Sequence, residues 1–154
     1  MDDVRKVLDC ALEVNMYYKE LYGSSSYNVL LRNKTQNDLT REIENWSDDH
    51  KNVNLVHLNI GDMSIEEVGE YLHNKLIINK PNSILLLEDF DNKTSFESRM
   101  ELKTLIKDHY LKENRTRRVF NNLLFAVAII SDKEKALDYK EREFFAYERN
   151  IFID

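Results

Sequence analysis

The sequence predicts an α/β protein in which a five-stranded parallel sheet is sandwiched between helices in three layers. Two observations carry this. Segments with helical apolar periodicity alternate along the chain with short apolar runs, and one run, Ile84-Leu85-Leu86-Leu87-Glu88-Asp89, passes directly from apolar residues into acids. A short unbroken run bounded by Pro81-Asn82 and by carboxylates is the pattern of a strand buried on both faces. Such strands belong mainly to parallel sheets, whose ligands bind beyond the strand carboxyl ends. Glu88 and Asp89 therefore mark the edge on which chemistry is expected.

Each element follows from local signals. Val4, Val7, Leu8, Ala11, Leu12, Val14 and Leu21 recur at helical intervals, so an amphipathic helix opens the chain over residues 2–22. Gly23-Ser24-Ser25-Ser26 ends it. Tyr27–Leu31 reads as a first strand and Arg32–Asn37 as a polar loop, with Asp38 capping a helix that runs to about His50. Asn54–Ile60 alternates as a second strand. Ser64 and Glu67 form a capping box for a helix to about Ile77. Gly69 lies inside that helix, at a cost of about 1 kcal/mol against alanine. The third strand is Ile84–Glu88, followed by a helix from about Ser95 to Leu111 and a fourth strand, Leu123–Ser131. A helical stretch, Lys133–Tyr147, leads to a last strand, Asn150–Ile153. With no repeat and no linker-like composition, residues 1–154 are expected to form one domain, a leading helix 1–22 and a sheet core 27–154.

Composition narrows the function classes. A net charge of −6 and a pI near 5.3 disfavour a module held to nucleic acid mainly by phosphate contacts. Lys112, Arg115, Arg117 and Arg118 make the one local basic cluster, read first as a solvated turn and second as a nucleic-acid contact. The single cysteine, Cys10, rules out an internal disulfide, and its apolar neighbours suggest a small buried hydrophobe. His50, His57, His73 and His109 lack paired metal-ligand spacing. The first residues have no signal-peptide core and no apolar run reaches the ~20 residues of a membrane span, so a cytoplasmic or nuclear location is expected.

Five strands preceded by a helix, with an apolar third strand ending in acids, resemble the α/β core of an AAA+ ATPase. Ile84–Asp89 is similar to a Walker B strand, although its acids stand in the order Glu-Asp instead of Asp-Glu. Arg117-Arg118-Val119-Phe120-Asn121-Asn122 resembles the segment before the fourth strand of Clp-type and torsin-type members. By that resemblance Ser131 takes the place of a polar sensor residue, and Arg142 or Arg149 falls where an arginine finger is carried.

The phosphate loop departs from the family. G-x-x-x-x-G-K-[ST] would follow the first strand, but Asn33-Lys34-Thr35-Gln36-Asn37-Asp38-Leu39-Thr40 stands there. Both glycines are absent, Leu39 replaces the lysine, and only Thr40 matches. Asp38 further sets a carboxylate where phosphate would meet helix amides. The chain also stops after the fifth expected strand, leaving no residues for the family's helical lid and suggesting a piece of something longer.

The expected function is therefore a catalytically inactive AAA+-like domain with no cofactor. It would act as a regulatory or scaffolding subunit on a protein partner, an active AAA+ ATPase or further copies of itself. Arg142, Arg149, Tyr17 and Tyr18 are its candidate contact residues, against a plainer reading of surface ion pairs and core aromatics. Two rivals stand beside it. One is a divergent magnesium-dependent nucleotide hydrolase, with Glu88 and Asp89 on the metal, Ser131 at the catalytic edge, and Lys34, Thr35 and Thr40 on the nucleotide. The other is a nucleic-acid or chromatin module similar to inactive origin-recognition-type subunits, using the Lys112–Arg118 cluster.

Overall fold

The computed structural model describes residues 2–32, 36–61, 63–76, 82–90, 100–113, 115–130 and 143–150. Helix α1 (Asp2–Tyr22) leads into strand β1 (Val29–Arg32), helix α2 (Gln36–Asp48) and strand β2 (Asn54–Asn59). Helix α3 (Ile65–Leu76), strand β3 (Ser83–Glu88) and helix α4 (Lys103–Asp108) follow. A hairpin of β4 (Tyr110–Glu113) and β5 (Thr116–Val119) precedes β6 (Leu123–Ile130) and β7 (Tyr147–Asn150). The expected parallel α/β class holds. The strands lie in the order β2-β3-β6-β1-β7, and every neighbouring pair in that sheet is parallel.

Side-chain parity sorts the core into two clusters, one on each face. Alternate residues of β1, β3 and β6 (Val29, Leu31, Ile84, Leu86, Val127 and Ile129) pack with Val4, Leu8 and Ala11 of α1 and Leu39, Ile43 and Trp46 of α2. The opposite parity, including Leu30, Leu85, Leu87, Ala126 and Ala128, packs with Val68 and Leu72 of α3 and Leu105 and Ile106 of α4. All six residues of β3 and all eight of β6 are buried, as strands covered on both faces require. Helices α1 and α2 are also clasped at the surface by Trp46 Nε1 donating to Asp9 (2.9 Å), and Arg5 of α1 holds Asp49, just past the end of α2 (2.8 Å).

Several expectations are corrected. The helix expected to reach Leu111 ends at Asp108, because His109 turns left-handed (φ 60°) and its N–H bonds back to Thr104 and Leu105. Leu111, the expected helix end, is buried from a strand instead. The basic cluster is thus part of a hairpin, with Tyr110 paired to Val119 and Lys112 to Arg117. Tyr147 belongs to a strand, not to the end of a helix, and β7 runs along β1 from Tyr147 to Asn150. Asp38 lies within the first turn of α2, which begins at Gln36, and is not its N-cap. Cys10 is exposed, since the buried stripe of α1 passes through Val4, Leu8, Ala11 and Asn15 and leaves position 10 outside it. The capping box at α3 forms as expected: Glu67 N–H donates to Ser64 Oγ (3.1 Å) and Ser64 N–H to Glu67 Oε1 (3.3 Å).

One buried asparagine ties the layers together. Asn28, fully buried before β1, donates to the carbonyls of Ile106 (2.8 Å) and Phe144 (3.3 Å) and accepts from the Ala126 N–H (2.8 Å). Removing it strands buried backbone groups in three segments. Asn28→Ala is expected to lower unfolding free energy by about 2–4 kcal/mol, read from urea denaturation. A loss under ~1 kcal/mol would mean that water replaces the amide.

Candidate functional site at the carboxyl edge of the sheet

From β1 the chain crosses to β2 at the far edge of the sheet, whereas after β6 it goes to β7 on the other side of β1. The topological switch therefore lies at the carboxyl ends of β1 and β6, the place where open α/β sheets bind ligands. Lys34, Thr35, Ser131 and Arg142 fall outside the described residues, as does the side chain of Arg149. Thr40, Glu88 and Asp89 are described, and two of them meet.

Glu88 ends β3 with the parity of Ile84 and Leu86, so its carboxyl group faces α2. Thr40 and Glu44, one helical turn apart on α2, look onto the same face, as does His57 of β2, which shares the parity of Leu55. His57 Nε2 contacts Glu88 Oε1 directly, and its Nδ1 stands 3.6 Å from Glu44 Oε1. The result is a carboxyl–imidazole–carboxyl row running from the buried Glu88 to the half-exposed Glu44. Burial pushes the Glu88 carboxyl above the usual carboxylate range; His57 and the nearby Thr40 draw it back, while Asp89 and Glu44 push it up again.

Asp89 sits beside this row in a left-handed conformation (φ 55°). Its Cβ lies 3.2 Å from where a side chain at Gly61 would begin, so glycine at 61 is what allows the β2 and β3 ends to close together. The same edge is pinned by Ile60 N–H on the Glu88 carbonyl (3.1 Å).

Leu39 is fully buried, packed in the core with Ile43 and Trp46. The position that would carry a phosphate-clamping lysine thus points into the protein. Among the described residues no group of three or more His, Cys, Asp or Glu side chains is arranged to hold a metal ion. Neither His57 nor Glu44 belongs to a motif in the sequence, and His57 lacks metal-ligand spacing. The legible signal was parity: in a parallel β2–β3 pair, His57 shares a sheet face with Glu88.

The other candidate residues lie elsewhere. Tyr17 and Tyr18 are exposed on α1, at 60% and 45%. In the hairpin, Arg117 lies over the Tyr110 ring (4.7 Å), while Arg118 donates to the Gly69 carbonyl (3.1 Å) and pairs with Glu70 (3.3 Å). Two of the four basic residues are therefore engaged within the protein. No helix among the described residues is long and apolar enough to cross a membrane.

No family profile matches the chain, and no characterised protein matches it in sequence. Among solved structures, one of Drosophila ORC bound to AT-rich DNA and Cdc6 contains a similar chain, 14% identical, with a TM-score of 0.45. The match covers 100% of this chain and 58% of that one, so this chain spans little more than half the length of the one it resembles.

Proposed function

We propose that this chain is a three-layer AAA+-like module that does not hydrolyse nucleotide and acts as a protein-binding regulatory or scaffolding subunit. The strand order, with β6 between β1 and β3, is consistent with a P-loop or AAA+-like fold. The observation that carries the reading is the filling of the catalytic edge by the protein's own side chains. Magnesium-dependent P-loop enzymes hold the ion between a Thr or Ser hydroxyl on the first helix and an acid at a strand end. Thr40 and Glu88 keep that relation, but His57 lies against the Glu88 carboxyl and Leu39 is core. A nucleotide would have to displace a buried contact and would find no lysine at position 39.

The partner surface fits the end of α1. Tyr17, Tyr18, Leu21 and Tyr22 are four of the five large apolar side chains exposed among the described residues, and Tyr18 stacks on Tyr22 at 5.8 Å. Rigid exposed tyrosines contribute large contact area at low entropic cost, as interface anchors do. Arg142 and Arg149 remain candidates for contact with a partner ATPase.

The test has two arms. Differential scanning fluorimetry with ATP, ADP and Mg2+ is expected to leave the melting temperature unchanged, and a magnesium-dependent nucleotide shift would favour the hydrolase reading instead. Affinity capture followed by direct binding should give a partner whose affinity falls by about tenfold or more in Tyr18→Ser/Tyr22→Ser. DNA binding that weakens steeply with salt and is lost in Lys112→Ala/Arg115→Ala would replace protein binding with the nucleic-acid reading.

A further inference from the structure

The end of the sheet away from Glu88 holds an open cavity of about 480 Å3, within the range of small-molecule sites. Three segments wall it: the loop Ser24–Tyr27 before β1, residues Lys107–His109 at the end of α4, and Ala146 just before β7. Tyr18 of α1 closes one side. This is the amino end of a parallel sheet, so the cavity is separate from the Thr40–Glu88 edge.

Two fully buried asparagines hold these walls in place. Asn15 accepts from the Ser25 hydroxyl (2.5 Å) and the Tyr27 N–H (2.8 Å) and donates to the Tyr27 carbonyl (2.9 Å), which fixes the serine loop. Asn28 binds the carbonyl of Ile106, next to Lys107, while its own carbonyl accepts from Ala146 N–H (2.9 Å). A site held by buried hydrogen bonds is preorganised, with little ordering left to be done on binding. Cost is also concentrated here: His109 is left-handed at a position glycine usually fills, and its buried Nε2 has no hydrogen-bond partner among the described residues.

The lining selects the ligand. Ala146 is its one purely apolar member, which disfavours a hydrophobic occupant. Lys107 forms no ion pair among the described residues, and it stands with the hydroxyls of Ser24 and Ser26, an arrangement suited to a phosphoryl group. The adjoining Asp108 would repel a bare anion but accepts hydrogen bonds from hydroxyls, and two phenol rings can lie against the carbon face of a sugar. We infer that this cavity binds a small phosphorylated polyol. Lys107 and the Ser24–Ser26 loop hold the phosphate monoester with the His109 ring beside them, and Asp108, Tyr18 and Tyr27 meet the sugar.

The test is an amide-resolved NMR titration of the whole chain with ribose 5-phosphate, ribose and inorganic phosphate. Ribose 5-phosphate is expected to give saturable shifts at Ser24–Tyr27, Lys107–His109 and Ala146, at least about tenfold tighter than phosphate alone. Lys107→Gln should weaken it by about tenfold, the scale of one charge-assisted hydrogen bond. His109→Gly removes the ring at a backbone position glycine prefers, so the fold is retained while affinity drops severalfold. The inference is overturned by absent shifts, by shifts at Thr40 and Glu88 instead, or by unchanged affinity in either variant. Equal binding of phosphate and ester would mean an adventitious ion only.

Discussion

Leu39→Lys is expected to destabilise the protein by about 3–5 kcal/mol and to leave it as indifferent to Mg-ATP as before. By residue type alone this substitution would restore the missing lysine of a phosphate loop. Leu39, however, is fully buried on α2, in the cluster that joins α1, α2 and the sheet. A lysine there gives up the leucine's packing and buries an ammonium group among apolar side chains. Asp38, in the first turn of the same helix, adds a negative charge that suits the helix and opposes phosphate. Urea denaturation measures the first effect and a thermal titration with Mg-ATP the second. A variant as stable as the parent that also gains a nucleotide-dependent shift would mean that residue 39 can turn out to the crevice, and the inactive reading would be lost.

How much was legible depended on whether the signal was local. Strand β3 is readable because burial on both faces makes Ile84–Leu87 an unbroken apolar run before Glu88. The α3 start was readable because Ser64 and Glu67 satisfy each other's backbone within four residues. The β4–β5 hairpin was not, because Leu105, Ile106 and Leu111 fit a helical stripe until His109 turns left-handed, a conformation that glycine would have announced and histidine does not. Cys10 was misplaced for a similar reason: apolar neighbours in sequence are not neighbours on a helix face. The pairing of Glu88 with His57 needed the strand register, which only the folded sheet supplies.

That pairing gives the second large effect. His57→Ala is expected to cost about 2–3 kcal/mol at pH 7 and much less near pH 4, since it leaves the buried Glu88 carboxylate without the group that faces it. The pH dependence follows from the direction of the Glu88 shift. Burial raises its pKa in the folded protein, so there is a window in which the folded chain still holds a proton that the unfolded chain has released. Stability contributed by this group is present below the ordinary carboxylate value and is lost as pH rises through the raised one. Removing His57 takes away a group that lowers the Glu88 pKa, so the window extends upward and the loss above it grows. Parallel denaturation curves at pH 4, 5, 6 and 7 should therefore diverge with rising pH. Adding Glu88→Gln to His57→Ala should recover most of the deficit at pH 7, because the buried charge is gone. A deficit of equal size at every pH would mean that His57 serves only to fill space. The Glu88 carboxyl would then remain open to a cation, and the magnesium-dependent hydrolase would become the better reading of the carboxyl edge.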